Sequence, residues 1–332
     1  MNTHVLTEQA LSGSKKRSVY LLVLPGVHLM DLAAPAQILG HLWLENHLQL
    51  HYISTDTRIQ SHQGLAFSEL EPLPEQVNED SWLFLIGTFR AVLHLEQPYY
   101  LQARDWLARV ADQFELIGGI CSGSLLAAYA GLLKGRACTS HHELLDELKR
   151  LAPDARVQED CIFVRDDKFW TSAGITTGID LCLQLTADCY GHDLATRIAR
   201  DMVVFQRRSG QEPQLSFWLQ HRNHIHSRIH RVQDAVMARP GHSWRIAELA
   251  DIVHISDRQL RRLFKEATGY SLQDWIQLAR LELSRQLLLQ TRFPVEEVAS
   301  RCGFESERSL RRLWQRWQGI SPGQFRMQNF QE

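Results

Sequence analysis

Cys121 is the residue whose neighbours best suit it to chemistry. It stands between Gly118-Gly119-Ile120 and a small-residue stretch that opens at Gly123. Glycines at 119 and 123 permit the sharp strand-to-helix turn of a nucleophile elbow. A thiol at a helix N-terminus is expected to be thiolate-rich, because the helix dipole favours the anion. The backbone N–H groups that follow, beginning at Ser122, can bind an anion or a carboxylate. The competing reading is a buried, inert cysteine, the commoner fate of that side chain. The other cysteines (Cys138, Cys161, Cys182, Cys189, Cys302) are scattered, with no CxxC pair and no zinc-ligand spacing. That pattern suits free thiols in a reducing cytoplasm, and neither a metal nor a cofactor is expected.

A second chemistry lies in the arginines. The chain as a whole carries a net charge of −2, but the charge is unevenly divided. Residues 221–332 hold 18 bases and 12 acids, a balance of +6, and residues 1–220 hold 18 bases and 26 acids, or −8. Of the 18 C-terminal bases, 17 are arginine. Arginine suits bidentate contacts to phosphate and guanine, so the asymmetry points to a polyanion-binding module joined to an acidic one. An arginine-rich solvated surface is the bland alternative, and spacing decides between them.

Helices must position those arginines. In Ser243–Gly269, the apolar residues Ile246, Leu249, Ala250 and Val253 recur at helical spacing. His254-Ile255 makes a turn, Ser256 is a good N-cap, and Gly269 a suitable stop. The second helix buries Leu260, Leu263 and Phe264 and presents Arg258, Arg261, Arg262 and Lys265. Two short helices, the second with a basic face, form a helix-turn-helix, whose second helix enters the major groove. The grammar then returns: Pro294 at a first helical position, Val295, Val298 and Ala299 as the stripe, Gly303-Phe304 as the turn and Ser306 as the cap. In its second helix Leu310, Leu313, Trp314 and Trp317 should face inward. Arg308, Arg311, Arg312, Gln315 and Arg316 should face outward, with Gly319 as the stop. A helical pattern from Ser271 to Gln290 connects the copies and spans ~28 Å, near the ~34 Å repeat of the major groove.

The N-terminal two-thirds alternates strand and helix. Apolar runs at Ser18–Leu24, Leu50–Ser54, Trp82–Ile86 and Glu115–Ile120 read as strands. Leu32–Leu44, Tyr99–Asp112 and Ser122–Ala130 read as helices. That order predicts a flavodoxin-like α/β domain, a parallel sheet with helices on both faces and sites at the strands' carboxyl ends. The expected layout is a mobile N-terminus (1–17), the α/β domain (18–205), a linker (206–223) broken by Gly210 and Pro213, and an all-α tandem helix-turn-helix domain (224–330) opened by a helix from His224. The apolar run after Lys15-Lys16-Arg17 imitates a secretory signal, but Pro25, Gly26 and His28 break it early. No stretch approaches the ~20 apolar residues of a membrane helix, and a cytoplasmic location is expected.

Two segments, Val298–Arg326 (VASRCGFESERSLRRLWQRWQGISPGQFR) and Ile255–Gly269 (ISDRQLRRLFKEATG), resemble the AraC/XylS DNA-binding domain. Leu310, Trp314, Arg308 and Leu272 depart from that family's pattern. Gly119–His142 and Thr171–Gly191 resemble the ThiJ/PfpI-like domain of the class I glutamine amidotransferase-like superfamily. Together the chain is similar to GlxA-family regulators. The resemblance implies that Asp31, after the first strand, hydrogen-bonds Cys121, with His141 or His142 as a third member. It also implies that Gly87-Thr88 stands where a Gly-Gly helps build an oxyanion hole. A threonine there puts a bulkier residue where backbone must approach the ligand. His28 and His94 read as surface or rim residues.

The expected function is an AraC-type regulator of transcription that binds double-stranded DNA through Arg258, Arg261, Arg262, Lys265, Arg308, Arg311, Arg312 and Gln315. Its α/β domain would sense a small, nitrogenous metabolite through Asp31, Gly87, Thr88, Cys121 and Ser122. The resemblance further implies a homodimer through that domain, and contact with RNA polymerase is open to it. The alternative is an isonitrile-hydratase-like or amidase-like enzyme using Cys121, but such an enzyme has no need of the C-terminal helices. Fold alone justifies no chemistry.

Overall fold

In the computed structural model, which describes residues 16–45, 47–89, 94–204, 208–210, 212–215, 222 and 224–329, the chain falls into two units divided after Gln214. In chain order the first unit begins with β1 (Arg17–Leu22), α1 (Leu29–Leu44), β2 (Leu48–Ser54), β3 (Arg58–Gln60), β4 (Ala66–Ser68), β5 (Glu71–Pro72) and β6 (Trp82–Leu85). It continues with α2 (Pro98–Val110), β7 (Leu116–Ile120), α3 (Gly123–Tyr129), β8 (Ala137–Cys138), α4 (Leu145–Leu151) and β9 (Arg156–Val157). The last elements are β10 (Phe163–Asp166), β11 (Phe169–Ser172), α5 (Thr177–Tyr190) and α6 (His192–Asp201).

The main sheet has the order β10-β11-β7-β6-β1-β2-β5 and is parallel except for the β10–β11 pair. Its central strands β6 and β7 are apolar and buried along their whole length, as parallel strands covered on both faces must be. Val19 of β1 pairs with Leu50 on one side and Trp82 on the other, and is fully buried. Parallel pairing brings the carboxyl ends of β1, β6, β7 and β11 to one edge, where their loops meet. The expected α/β class is therefore the observed one.

Helix α1 begins at Leu29, three residues before the expected start, because His28 and not a later residue takes the extended N-cap conformation. Residues 1–15 of the expected mobile N-terminus lie outside the described residues, and Arg17 already pairs with Leu48 in β1. The expected linker also needs correction. Residues 205–207, 211, 216–221 and 223 lie outside the described residues, but the described part up to Gln214 is docked on the α/β unit. Ile162 donates its N–H to Gly210 O at 2.9 Å. Arg208 pairs with the buried Asp180 at 2.6 Å, and Gln214 Nε2 donates to Ser140 O at 2.8 Å. Polar composition marked this stretch as free, whereas Arg208, Gly210 and Gln214 hold partners in the α/β unit.

The second unit is helical: α7 (Ser227–Ala238), α8 (Ile246–Ile252), α9 (Asp257–Thr268), α10 (Leu272–Gln290), α11 (Val295–Arg301), α12 (Glu307–Gln318) and α13 (Pro322–Asn329). Helix α7 opens at Ser227, after His224, whose ring instead stacks on His230 at 4.3 Å. Pro294, expected at the first helical position, is instead the N-cap of α11, which starts one residue later at Val295. Ile229, Leu249, Leu260, Phe264 and Trp275 form one core, and Leu288, Val298, Leu310 and Trp314 a second. Trp317 does not join that second core: it is 49% exposed in the last turn of α12.

Candidate functional site

The pocket is built from the four strand ends. Cys121 follows β7 with φ +55°, a left-handed conformation that a non-glycine residue holds only when its surroundings fix it. Here its N–H donates to Ser172 O at 3.0 Å, and its carbonyl accepts from Ser124 Oγ at 2.7 Å and Ser140 Oγ at 3.0 Å. The elbow expected from Gly119 and Gly123 is thus present. Close approach explains two other glycines. A Cβ at Gly87 would lie 2.6 Å from Asp31 Oδ2, and one at Gly174 would lie 2.2 Å from Cys121 Cβ.

Asp31, in the first turn of α1, is fully buried. Its Oδ1 accepts the Ile175 N–H at 2.5 Å, and Cys121 lies beside the same carboxylate. Among the described residues Oδ2 has no hydrogen-bond partner, and His28 Nδ1, also without one, faces it at 4.0 Å. Burial raises the Asp31 pKa, against the pull of the Ile175 N–H, His28 and the thiol. Burial and the Asp31 charge hold the Cys121 thiol well above the ordinary cysteine value. The expected thiolate is therefore overturned. The Ser122 N–H at the start of α3 favours the anion, but desolvation outweighs it.

Asp31, Thr88, Cys121 and His141 line one cavity of about 80 Å³. Gly87 and Ser122 stand behind its wall. His141 caps a short 3-10 turn, and its Nδ1 accepts the Glu143 N–H at 3.4 Å. His142 packs against that ring at 4.3 Å and His94 is exposed; neither lines the cavity. His28, expected as a rim residue, does line it, as do Phe89 and Ile175, which sequence reasoning missed. Phe89 stacks on His62 at 3.7 Å. The signal available for it was its place two residues after the strand-end Gly87. At Thr88 the N–H donates to Ser122 Oγ at 2.8 Å, and that hydroxyl donates to Thr88 O at 3.0 Å. An oxyanion beside Cys121 would find this donor already engaged.

In the helical unit, Ser256 and Ser306 each close a capping box, and α9 and α12 end at left-handed Gly269 and Gly319. Arg258, Arg261, Arg262 and Lys265 are exposed on α9, as are Arg308, Arg311, Arg312, Gln315 and Arg316 on α12. They are not equally available. Arg311 pairs with Glu307 at 2.5 Å, and Gln315 Nε2 donates to Gly319 O at 2.6 Å, closing the end of its own helix. Arg262 has a looser partner, Glu266 at 3.8 Å.

Among the described residues, no helix is long and apolar enough to cross a membrane. Residues 17–188 match the DJ-1/PfpI family, and residues 249–328 match a helix-turn-helix domain. The regulator CdhR of Pseudomonas aeruginosa, named an HTH-type transcriptional regulator, is 29% identical over 92% of this chain and 90% of its own length. An isonitrile hydratase of Pseudomonas putida is 30% identical over 52% of this chain and 72% of its own. A ThiJ/PfpI family protein from Pseudomonas syringae has the same fold in its crystal structure, with a TM-score of 0.50 at 24% identity, over 62% of this chain and 80% of that one. The chain belongs to the DJ-1/PfpI family, with an AraC-type helix-turn-helix domain fused after that family's α/β domain.

Proposed function

We propose that this protein is a sequence-specific regulator of transcription whose α/β unit binds a small effector in the Cys121 pocket. The observation that carries the reading is the repeated pair of capped, arginine-faced helices, α9 and α12, joined by α10. An arginine fork reads guanine in the major groove, and each well-made pair discriminates by ~1–3 kcal/mol. The HTH-type name of its relative CdhR supports the same reading. Selection of duplexes from a random library by the purified full chain tests it. Enrichment of one sequence motif is expected, and binding without sequence preference would overturn it.

The pocket supports the sensing half. Asp31 Oδ2 and His28 Nδ1 are both buried without a hydrogen-bond partner among the described residues, and their residues line the cavity, so a small ligand with hydrogen-bonding groups fits the wall. Its volume of about 80 Å³ suits a ligand of few atoms. Thermal-shift screening of small amines, amides and amino acids against the full chain, with Asp31→Ala as control, checks this. Dimerisation through the α/β unit and contact with RNA polymerase belong to the same proposal, on the resemblance alone.

A second reading, a Cys121-dependent enzyme, is favoured by the φ of +55° at Cys121 and by the isonitrile hydratase relative. Against it stand a thiol kept protonated and a Thr88 N–H already engaged.

A further inference from the structure

The two helix-turn-helix cores meet at a second joint, apart from α10. The loop between α7 and α8 carries Gly241, and the turn between α11 and α12 carries Gly303, at φ +77°. A Cβ on Gly303 would lie 2.4 Å from Gly241 O, and one on Gly241 would lie 2.5 Å from Arg301 O. Within the helical unit, the loop of the first helix-turn-helix is thus in backbone contact with the turn of the second. Arg280 of α10 ties this joint. Its Nε donates to Pro240 O at 3.2 Å and its Nη2 to His242 O at 3.0 Å, gripping the loop on both sides of Gly241. The same side chain lines a groove with Phe304 and Glu305, which follow Gly303.

A single connecting helix would let two bundles with separate cores bend and twist about it. A second contact, bound to the middle of that helix, closes a triangle and removes those freedoms. We propose that Gly241, Gly303 and Arg280 are spacing-determining residues, which fix the phase of α9 against α12 and so set one separation between the two half-sites that the protein accepts. The inference rests on the DNA-binding reading above. One added base pair turns the second half-site by about 34° and moves it about 3.4 Å, a displacement that a rigid pair of reading helices does not follow.

The test uses the full chain and a random duplex library, comparing wild type with Arg280→Met and Gly303→Ala. Arg280→Met keeps the aliphatic stem and leaves the backbone untouched, so it remains informative if Gly303→Ala does not fold. Wild type is expected to enrich paired half-sites at one separation, and to lose about tenfold or more in affinity when one base pair is added or removed. In the variants that penalty should shrink to about twofold, with single half-site affinities within about threefold of wild type. An undiminished spacing penalty in both variants overturns the proposal. So does a parallel loss of half-site binding, which would mean that the joint merely holds the fold. Failure of wild type to select any motif is a different result, since it removes the DNA-binding reading itself.

Discussion

The backbone of Thr88 and the hydroxyl of Ser122 exchange two hydrogen bonds, N–H to Oγ at 2.8 Å and Oγ–H to O at 3.0 Å, across the wall of the Cys121 pocket. Both groups are buried, so neither can fall back on water. Ser122→Ala should therefore cost about 1–3 kcal/mol, the range for a buried group left without its partner, measured by denaturant unfolding. The same pairing predicts that hydrolysis of small amides and isonitriles is unchanged by Cys121→Ala. A Cys121-dependent efficiency near ~10⁴ M⁻¹s⁻¹ would restore the enzyme reading.

Asp31 gives a pH dependence with a definite sign. Its folded pKa is raised, so the protonated carboxyl favours the fold, and that contribution is lost as pH rises through the folded value. Asp31→Asn keeps an acceptor for the Ile175 N–H and carries no charge. It should melt higher than wild type at about pH 8, with the gap closing towards about pH 4. A variant that melts lower at the higher pH would show that the carboxylate is better satisfied than its burial implies.

Cysteine labelling should follow exposure. Cys121 is buried and held protonated, while Cys189 is the exposed cysteine of the six. Iodoacetamide at about pH 8, followed by peptide mass spectrometry, should mark Cys189 well before Cys121. The elbow motif by itself predicts the reverse order, so the experiment separates motif from environment.

On the DNA face, Arg308→Ala and Arg312→Ala should each cost ~1–3 kcal/mol if the side chain reads a base, and should relax preference at one position. Gln315→Ala should matter less, because its amide already closes the end of α12 on Gly319. Binding curves on the selected motif and on single-base variants of it measure both effects. A loss spread evenly over all sequences would assign the arginine to phosphate.

Arg208→Met removes one member of a mostly buried ion pair, and Asp180 keeps the bond from the residue-208 N–H at 2.9 Å. A loss of about 2–3 kcal/mol is expected, towards the lower end of the range for breaking such pairs. Stability equal to wild type would show that the segment does not hold its place in solution.

Much of this was legible in the sequence. Ser256 with Gly269, and Ser306 with Gly319, marked both reading helices to within a residue, because caps and left-handed stops are local chemistry. The elbow at Cys121 was legible from Gly119 and Gly123, but its meeting with Asp31, 90 positions away, only through the resemblance. What stayed hidden depends on partners distant in sequence. Nothing near Cys121 announces that desolvation outweighs the start of α3. Nothing near Gln315 shows where its amide turns, and nothing near Trp317 shows that its ring stays half exposed. The docking of Gln214 on Ser140 was hidden for the same reason, since QRRSGQEPQ reads as a tether until its partners are known.

That docking changes where the protein can be cut and rejoined. A chimaera that takes the α/β unit only as far as residue 205 discards the guanidinium beside Asp180 and the amide on Ser140. Thr176, which accepts from Arg208 Nη2 at 3.0 Å, is the next residue after Ile175, and Ser140 is the one before His141. Such a hybrid would lose supports that stand one peptide away from two walls of the pocket. A hybrid joined after Gln214 keeps them, and the unit that can be exchanged as a module is therefore longer than its polar tail suggests.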